Sequence, residues 1–236
     1  GYDSGETVEI YLEAYPGKHI RRRGDEIAQG DVLIQKKTRI TPAELGTLAT
    51  FGYSRVRVYR APKVALVATG DELVKPGQPL KPGQIYNSNL FVFSDLAKRA
   101  GAEITMEEIV ADDTKALHAF LSQALAECDV VVSSGGVSMG RHDYVREIYM
   151  ELGVQEHFWK VAQKPGKPLF FGTVADTLIF GLPGNPVSSF IGFMEWVWPA
   201  LEKMMGVTVS GTIPAVLAEP FPRESVKTRF LFGRTW

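Results

Sequence analysis

Two aliphatic runs stand out along the chain, Val64-Ala65-Leu66-Val67-Ala68 and Val130-Val131-Val132, neither containing a polar side chain. The first is closed by Thr69-Gly70-Asp71-Glu72 and the second by Ser133-Ser134-Gly135-Gly136. A short, wholly apolar run ending in such a loop is the pattern of a parallel strand buried on both faces. Between the two runs the spacing becomes helical. Asn87-Ser88-Asn89 caps an amphipathic helix that Gly101 stops. Glu103-Ile104-Thr105-Met106 begins another strand. Residues 114–127 then place Ala116, Leu117, Phe120, Leu121, Ala124 and Leu125 on one helical face. A third helix is predicted from about Asp143 to Leu152, and a hairpin from Leu169-Phe170-Phe171 and Leu178-Ile179-Phe180. A last helix follows Leu182-Pro183-Gly184-Asn185-Pro186 and ends near Gly206. Strands and helices alternating at this spacing predict βαβ units, right-handed crossovers and a parallel sheet, hence an α/β fold.

The flanks read differently. Through about residue 60 they are rich in strand and loop signals: Val8-Glu9-Ile10-Tyr11-Leu12 alternates, Pro16-Gly17 breaks it, and Arg21-Arg22-Arg23-Gly24-Asp25-Glu26 is a charged loop. Thr41-Pro42-Ala43-Glu44 starts a short helix ending near Gly52, and Arg55-Val56-Arg57-Val58-Tyr59 reads as a strand. Beyond Gly206 the pattern returns to strands and prolines. Domain boundaries are therefore placed near 61 and near 206.

With 236 residues, 45% of them hydrophobic, the chain can bury a large core, and a net charge of −1 gives no overall field for nucleic acid. No apolar run approaches the roughly 20 residues that span a bilayer. With no signal peptide at Gly1-Tyr2-Asp3-Ser4-Gly5, cytoplasm is the expected compartment. The lone Cys128 reads as a buried small hydrophobe. The chain opens without Met and stops at Trp236 just after Phe230-Leu231-Phe232, which predicts a piece of a longer protein.

Ligands of an open parallel sheet bind beyond the carboxyl ends of its strands, and the unusual residues fall there. Thr69-Gly70-Asp71-Glu72 alone reads first as a turn cap, and second as a cation or substrate contact. Ser134, Gly135, Gly136 and Ser138 form a loop that lets backbone approach an anion, although it is neither a Walker A nor a dinucleotide sequence. Asp112 and Asp143, with Glu72, could hold Mg²⁺ through hard oxygen ligands; helix capping is the other reading of Asp143, as of Asp113. Lys160, Lys164 and Lys167 lie in a proline-fixed loop and suggest anion neutralisation, against the alternative of solvated surface lysines. Pro183-Gly184-Asn185, with Ser188, precedes a helix whose first amides could meet an anion. His19, His118, His142 and His157 show no metal-ligand spacing. From the residues alone, the chain binds a phosphorylated ligand with Mg²⁺.

Six segments occur in one order: Val67-Ala68-Thr69-Gly70-Asp71-Glu72-Leu73, Gly83-Gln84-Ile85-Tyr86-Asn87-Ser88-Asn89, Ser133-Ser134-Gly135-Gly136-Val137-Ser138, Asp143-Tyr144, Lys164-Pro165-Gly166-Lys167-Pro168 and Gly181-Leu182-Pro183-Gly184-Asn185-Pro186. Together they resemble the molybdopterin molybdenumtransferase family, MoeA of bacteria and the E domain of gephyrin, over nearly the whole chain. The resemblance implies the central fragment of an elongated, homodimeric, four-domain protein. On that scheme residues 1–17 end the second, β domain and 18–60 belong to the first. Residues 61–206 form the MoaB/MogA-like molybdopterin- and nucleotide-binding domain, and 207–236 begin a C-terminal β-barrel. The implied reaction converts adenylylated molybdopterin and molybdate into molybdenum cofactor and AMP, with Mg²⁺ or Zn²⁺ assisting.

Carried over by motif, Asp112, Asp143, Lys160 and Lys164 are the catalytic candidates, and Glu72, Asp112 and Asp143 the metal ligands. Thr69, Gly70, Asp71, Asn87, Lys167, Ser188 and Arg234 join the loop residues in substrate binding. Glu26 stands where the family usually carries Asp. Molybdopterin adenylyltransferase and molybdoenzymes are the implied protein partners. Two other readings share the motifs: a molybdopterin adenylyltransferase, and a gephyrin-like scaffold that binds receptor peptides.

Overall fold

A computed structural model describes all residues except 1, 4, 6, 10, 14, 137–143, 208–212, 222–225 and 235–236, together with the side chains of 2, 3, 8 and 9. The chain divides into two compact units, Gly1–Arg57 and Val58–Trp236. In the first, β1 (Tyr2–Asp3) pairs antiparallel with β2 (Val8–Glu9). The five-residue strand expected at Val8–Leu12 is thus shorter, and Tyr11, Leu12 and Glu13 are exposed outside any ladder. Helix α1 (Pro42–Thr50) starts as expected. Thr41 accepts from Ala43 N at 3.3 Å and Glu44 accepts from Thr41 N at 2.9 Å, closing a capping box.

The strand expected at Arg55–Tyr59 does not form: residues 53–62 carry no ladder. Alternation specifies a face, whereas a strand also needs a neighbour to take its N–H and C=O groups.

The second unit is built on β3 (Lys63–Thr69), β6 (Glu103–Val110), β7 (Val130–Ser134), β8 (Gln155–Trp159), β10 (Phe170–Val174) and β11 (Thr177–Leu182), in the order β6-β3-β7-β11-β10-β8. The neighbours from β6 to β11 are parallel. β10 runs against both β11 and β8, giving the expected hairpin in the register Phe170↔Gly181 to Val174↔Thr177. Small paired strands accompany this sheet: β4 (Leu73–Val74) with β5 (Ile85–Tyr86), and β9 (Gln163–Lys164) with β12 (Thr228–Arg229).

The two central strands are apolar on both faces because both faces are covered. Val64, Leu66 and Ala68 of β3, with Val130 and Val132 of β7, enter one core. Ala65, Val67 and Val131 enter the other. The first core is roofed by α2 (Asn89–Ala100), by residues 193–197 that follow α5 (Pro186–Gly192), and by α6 (Trp198–Met204), the second by α3 (Thr114–Glu127) and α4 (Tyr144–Glu151). The sheet is thus the middle of three layers.

Helix ends follow their sequence signals. Asn87 Oδ1 accepts from Leu90 N at 3.0 Å at the start of α2, and Gly101 takes the left-handed conformation, φ 96°, at its end. Asp113 caps α3 through Lys115 N and Ala116 N. The last predicted helix is interrupted by a π-helical turn, Phe193–Val197, in which Trp198 N donates to Phe193 O. The cause is Pro199, which has no N–H to give and whose ring cannot sit against the carbonyl four residues back.

The entry to β3 is fastened by Asp129, which takes both guanidinium nitrogens of Arg60 at 2.5 Å and Lys63 N at 2.8 Å. The Arg60 hydrogen bond holds the Asp129 carboxyl below its ordinary value. A depressed carboxyl contributes stability that is present above its unfolded pKa, about 4 for Asp. That contribution is lost as pH falls through the lower folded value. Asp129→Asn is expected to shrink the acid-limb loss of stability measured by urea unfolding between pH 6 and 2; an unchanged profile would show the pair to be energetically silent.

Candidate functional site

Because β3, β6, β7 and β11 are parallel, their carboxyl ends emerge at one edge, and the loops there carry most of the predicted residues. Thr69 ends β3, and its Oγ1 donates to Asp112 Oδ1, beyond β6, at 3.1 Å. Asp112 N donates in turn to Asp71 Oδ1 at 2.9 Å. The phenol of Tyr144, the first residue of α4, hydrogen-bonds the side chains of both Asp112 and Thr69. Burial first, and the Asp112 hydrogen bond second, push that phenol well above its usual range, so it stays protonated. Two carboxylates, a hydroxyl and a phenol therefore share one hydrogen-bonded cluster, which ties three elements together.

Tyr144 was not singled out as a site residue by its sequence. The segment Asp143-Tyr144 carries part of the family resemblance, and that is the signal that could have found it. Asp71 rather than Glu72 meets Asp112. The Glu72 carboxylate is folded back over Gly70, where an added Cβ would come within 2.5 Å of Glu72 Oε2. Asp143 and Ser138 lie outside the described residues. Among the described residues no three His, Cys, Asp or Glu side chains converge as a metal-binding group.

A second link joins the glycine loop to the loop after β11. Asn89, 8% exposed, donates through Nδ2 to Ser134 Oγ at 2.7 Å and to Gly184 O at 2.9 Å. Gly135 N donates to Leu182 O at 3.1 Å. Gly135 has φ 91°, and a Cβ there would lie 2.8 Å from Thr69 O, so the close passage of the two strand ends requires glycine. Asn185 caps α5 by accepting from Val187 N at 3.1 Å and Ser188 N at 3.2 Å. Those amides, expected to be open to an anion, are taken by the protein's own side chain, so charge neutralisation falls to the lysines.

Of these, Lys164 and Lys167 are exposed on a turn that runs against α5: a Cβ on Gly166 would sit 3.2 Å from Ser188 O. The Lys164–Pro165 peptide is cis. Lys160 is part-buried, with φ 73°, and its ammonium lies 3.6 Å from the centroid of the Trp159 ring. Arg146 also lies over that ring, at 4.7 Å. Arg234 is exposed in the segment following β12, where Phe232 approaches Phe190 of α5 at 6.2 Å. In the first unit, Glu26 pairs with Arg21 at the surface. No helix among the described residues is long and apolar enough to cross a membrane.

Comparison with known proteins adds an independent line. A family described as "Probable molybdopterin binding domain" matches residues 65–203, and one described as "MoeA N-terminal region (domain I and II)" matches residues 3–52. The molybdopterin molybdenumtransferase of Haemophilus influenzae is 38% identical over 191 residues, covering 81% of this chain and 47% of the relative. That of Nostoc is 41% identical over 203 residues, covering 85% and 47%. The chain thus spans about half the length of the curated relatives it matches. Among solved structures, a molybdopterin biosynthesis MoeA protein from Pyrococcus horikosii superposes with a TM-score of 0.72 at 36% identity, covering 84% of this chain and 49% of the other.

Removing the Asn89 bridge should cost about 1–3 kcal/mol, because Ser134 Oγ and Gly184 O would lose their partner in a buried setting. Asn89→Ala is expected to lower the denaturant midpoint accordingly with an unchanged m-value. A midpoint equal to that of the unaltered protein would mean that the two loops hold together without it.

Proposed function

The chain belongs to the molybdopterin-binding domain family that its residues 65–203 match, and we propose that it inserts molybdenum from molybdate into adenylylated molybdopterin, releasing molybdenum cofactor and AMP. The observation that carries this reading is the meeting, at one sheet edge, of strand-end loops cross-linked by Asn89 with a lysine-bearing turn seated on α5. Relatives named molybdopterin molybdenumtransferase support the same activity. On this reading residues 61–206 are the molybdopterin- and nucleotide-binding domain, 18–60 and 1–17 belong to the first and second domains, and 207–236 begin the β-barrel domain. The working protein is a cytoplasmic homodimer that takes its substrate from an adenylylating enzyme and passes its product to molybdoenzymes.

The donor set at the edge fits a hard divalent cation. Asp71, Asp112 and Thr69 present oxygen alone, which suits Mg²⁺ better than Zn²⁺; Glu72 follows Asp71 directly, and Asp143, outside the described residues, is the remaining proposed ligand. When bound, such an ion polarises the phosphate and stabilises the charge on the departing AMP. Tyr144, kept protonated, donates to Asp112 and fixes which of its oxygens faces the ligand. Lys164 and Lys167, with Lys160 and Arg234, neutralise molybdate and the pyrophosphate and hold them beside the dithiolene sulfurs, supplying proximity. The glycines at 135 and 136 let the backbone come close to the substrate, and Pro183, Asn185 and Ser188 complete its walls. The roles need no covalent nucleophile.

Titration of adenylylated molybdopterin into the intact protein is expected to give Mg²⁺-dependent binding, and addition of molybdate to release AMP without consuming ATP. Lys164→Ala should lower kcat/KM for molybdate by about a hundredfold, and Asp112→Ala should remove the Mg²⁺ dependence. Absence of binding, or an Asp112→Ala protein with intact cation-dependent release, would overturn these roles.

A further inference from the structure

The turn that carries Lys164 and Lys167 is fastened at both ends by backbone. Val161 N donates to Lys167 O at 2.9 Å and Phe230 N to Lys164 O at 3.0 Å. Its middle is fastened by the side chain of Gln163. Gln163 is 4% exposed, and its carboxamide is used at both ends. Oε1 accepts from Trp196 Nε1 at 3.2 Å, and Nε2 donates to Pro165 O at 3.3 Å. Each partner has one capability: an indole can only donate and a carbonyl can only accept, so the pair together dictates which way the amide faces. A residue present only to fill volume would do better as a hydrocarbon, since a buried amide is costly unless both ends are satisfied.

The contact is close. A Cβ on Gly166 would lie 2.7 Å from Gln163 Nε2 and 3.2 Å from Ser188 O, so the turn is pinched between the carboxamide and the first turn of α5. Trp196 is itself fixed. It lies in the π-helical turn before Pro199, and its ring packs on Phe158 at 5.2 Å. We propose that Gln163 is a positioning residue: joined to Trp196 and to the Pro165 carbonyl, it locks the Lys164–Lys167 turn against α5 and so sets where the two ammonium groups meet an oxyanion. This rests on the reading of that turn as the oxyanion-holding element.

The test compares the intact protein with Gln163→Met, Trp196→Phe, Lys164→Ala and the Gln163→Met/Lys164→Ala double variant. Gln163→Met keeps the volume and removes the amide; Trp196→Phe keeps a ring and removes only the N–H, and serves if Gln163→Met fails to fold. Two quantities are read: amide hydrogen exchange in the turn without ligand, and the dissociation constant for molybdate by calorimetry. Loss of the lock should speed exchange at Gly166 and Lys167 by about tenfold, with β10 and β11 unaffected. It should weaken molybdate binding by about tenfold, and the double variant should lose less than the two single losses combined, because part of the Gln163 effect acts through Lys164. A lower melting temperature with unchanged exchange in the turn and unchanged molybdate affinity would reduce Gln163 to a structural role and overturn the proposal. So would additive losses in the double variant. If the unaltered protein binds no molybdate, the reading of the turn as an oxyanion site falls and the positioning role falls with it, whereas unaltered binding with a null Gln163→Met overturns the positioning role alone.

Discussion

A parallel strand can be hydrogen-bonded on both sides by parallel neighbours only if all of them run the same way, and then every chain leaves the sheet at the same edge. The rest of this molecule follows from that. β3 and β7 are buried on both faces, so their apolar residues go to the two cores. Chemistry is displaced to the ends, where Thr69, Ser134 and Leu182 hand over to loops within reach of one another. The loops have to satisfy the polar groups released there, and they do so with one another's side chains: Thr69 with Asp112, Asp112 with Asp71, Asn89 with Ser134 and Gly184. The bonds that terminate the sheet are thereby the bonds that assemble the site.

Much of this was legible from local signals. The double-sided strands, the capping box at Thr41 and Glu44, the Gly101 stop and the Asp113 cap each depend on residues within one turn of the position they decide. So did the location of the candidate loops, which needed only the parallel pattern. What was not legible is long-range pairing. The alternation at Arg55–Tyr59 promised a strand, but alternation contains nothing about a partner. The cross-links of the site join residues 43, 45 and 95 positions apart. Local spacing does not distinguish Asp71 from its neighbour Glu72, nor point to Tyr144, when the discriminating contact comes from a different strand end. The amides at Val187 and Ser188 are a related case. A helix start followed by Ser-Ser looks open to an anion until the Asn185 side chain is seen to fill it.

The two kinds of charge at the edge are held by different means, and the difference bears on how the site works. The acidic cluster is fixed by hydrogen bonds among its own members, with Tyr144 as a donor whose phenol is held above its usual range. The lysines have no such mutual support, since like charges repel, and their placement has to come from the backbone beneath them. The turn at Lys164–Lys167 is braced by β9–β12 pairing at one end, by the Val161 amide at the other and by Gln163 in its middle. That bracing reaches back through Trp196 to the π-helical turn, and so to Pro199, a residue far along the sequence whose only chemical act is to withhold an N–H. A helix irregularity and an anion-facing turn are in this sense one feature. The widened turn sets down an indole where a regular helix would not, and the indole orients the amide that holds the lysines in place.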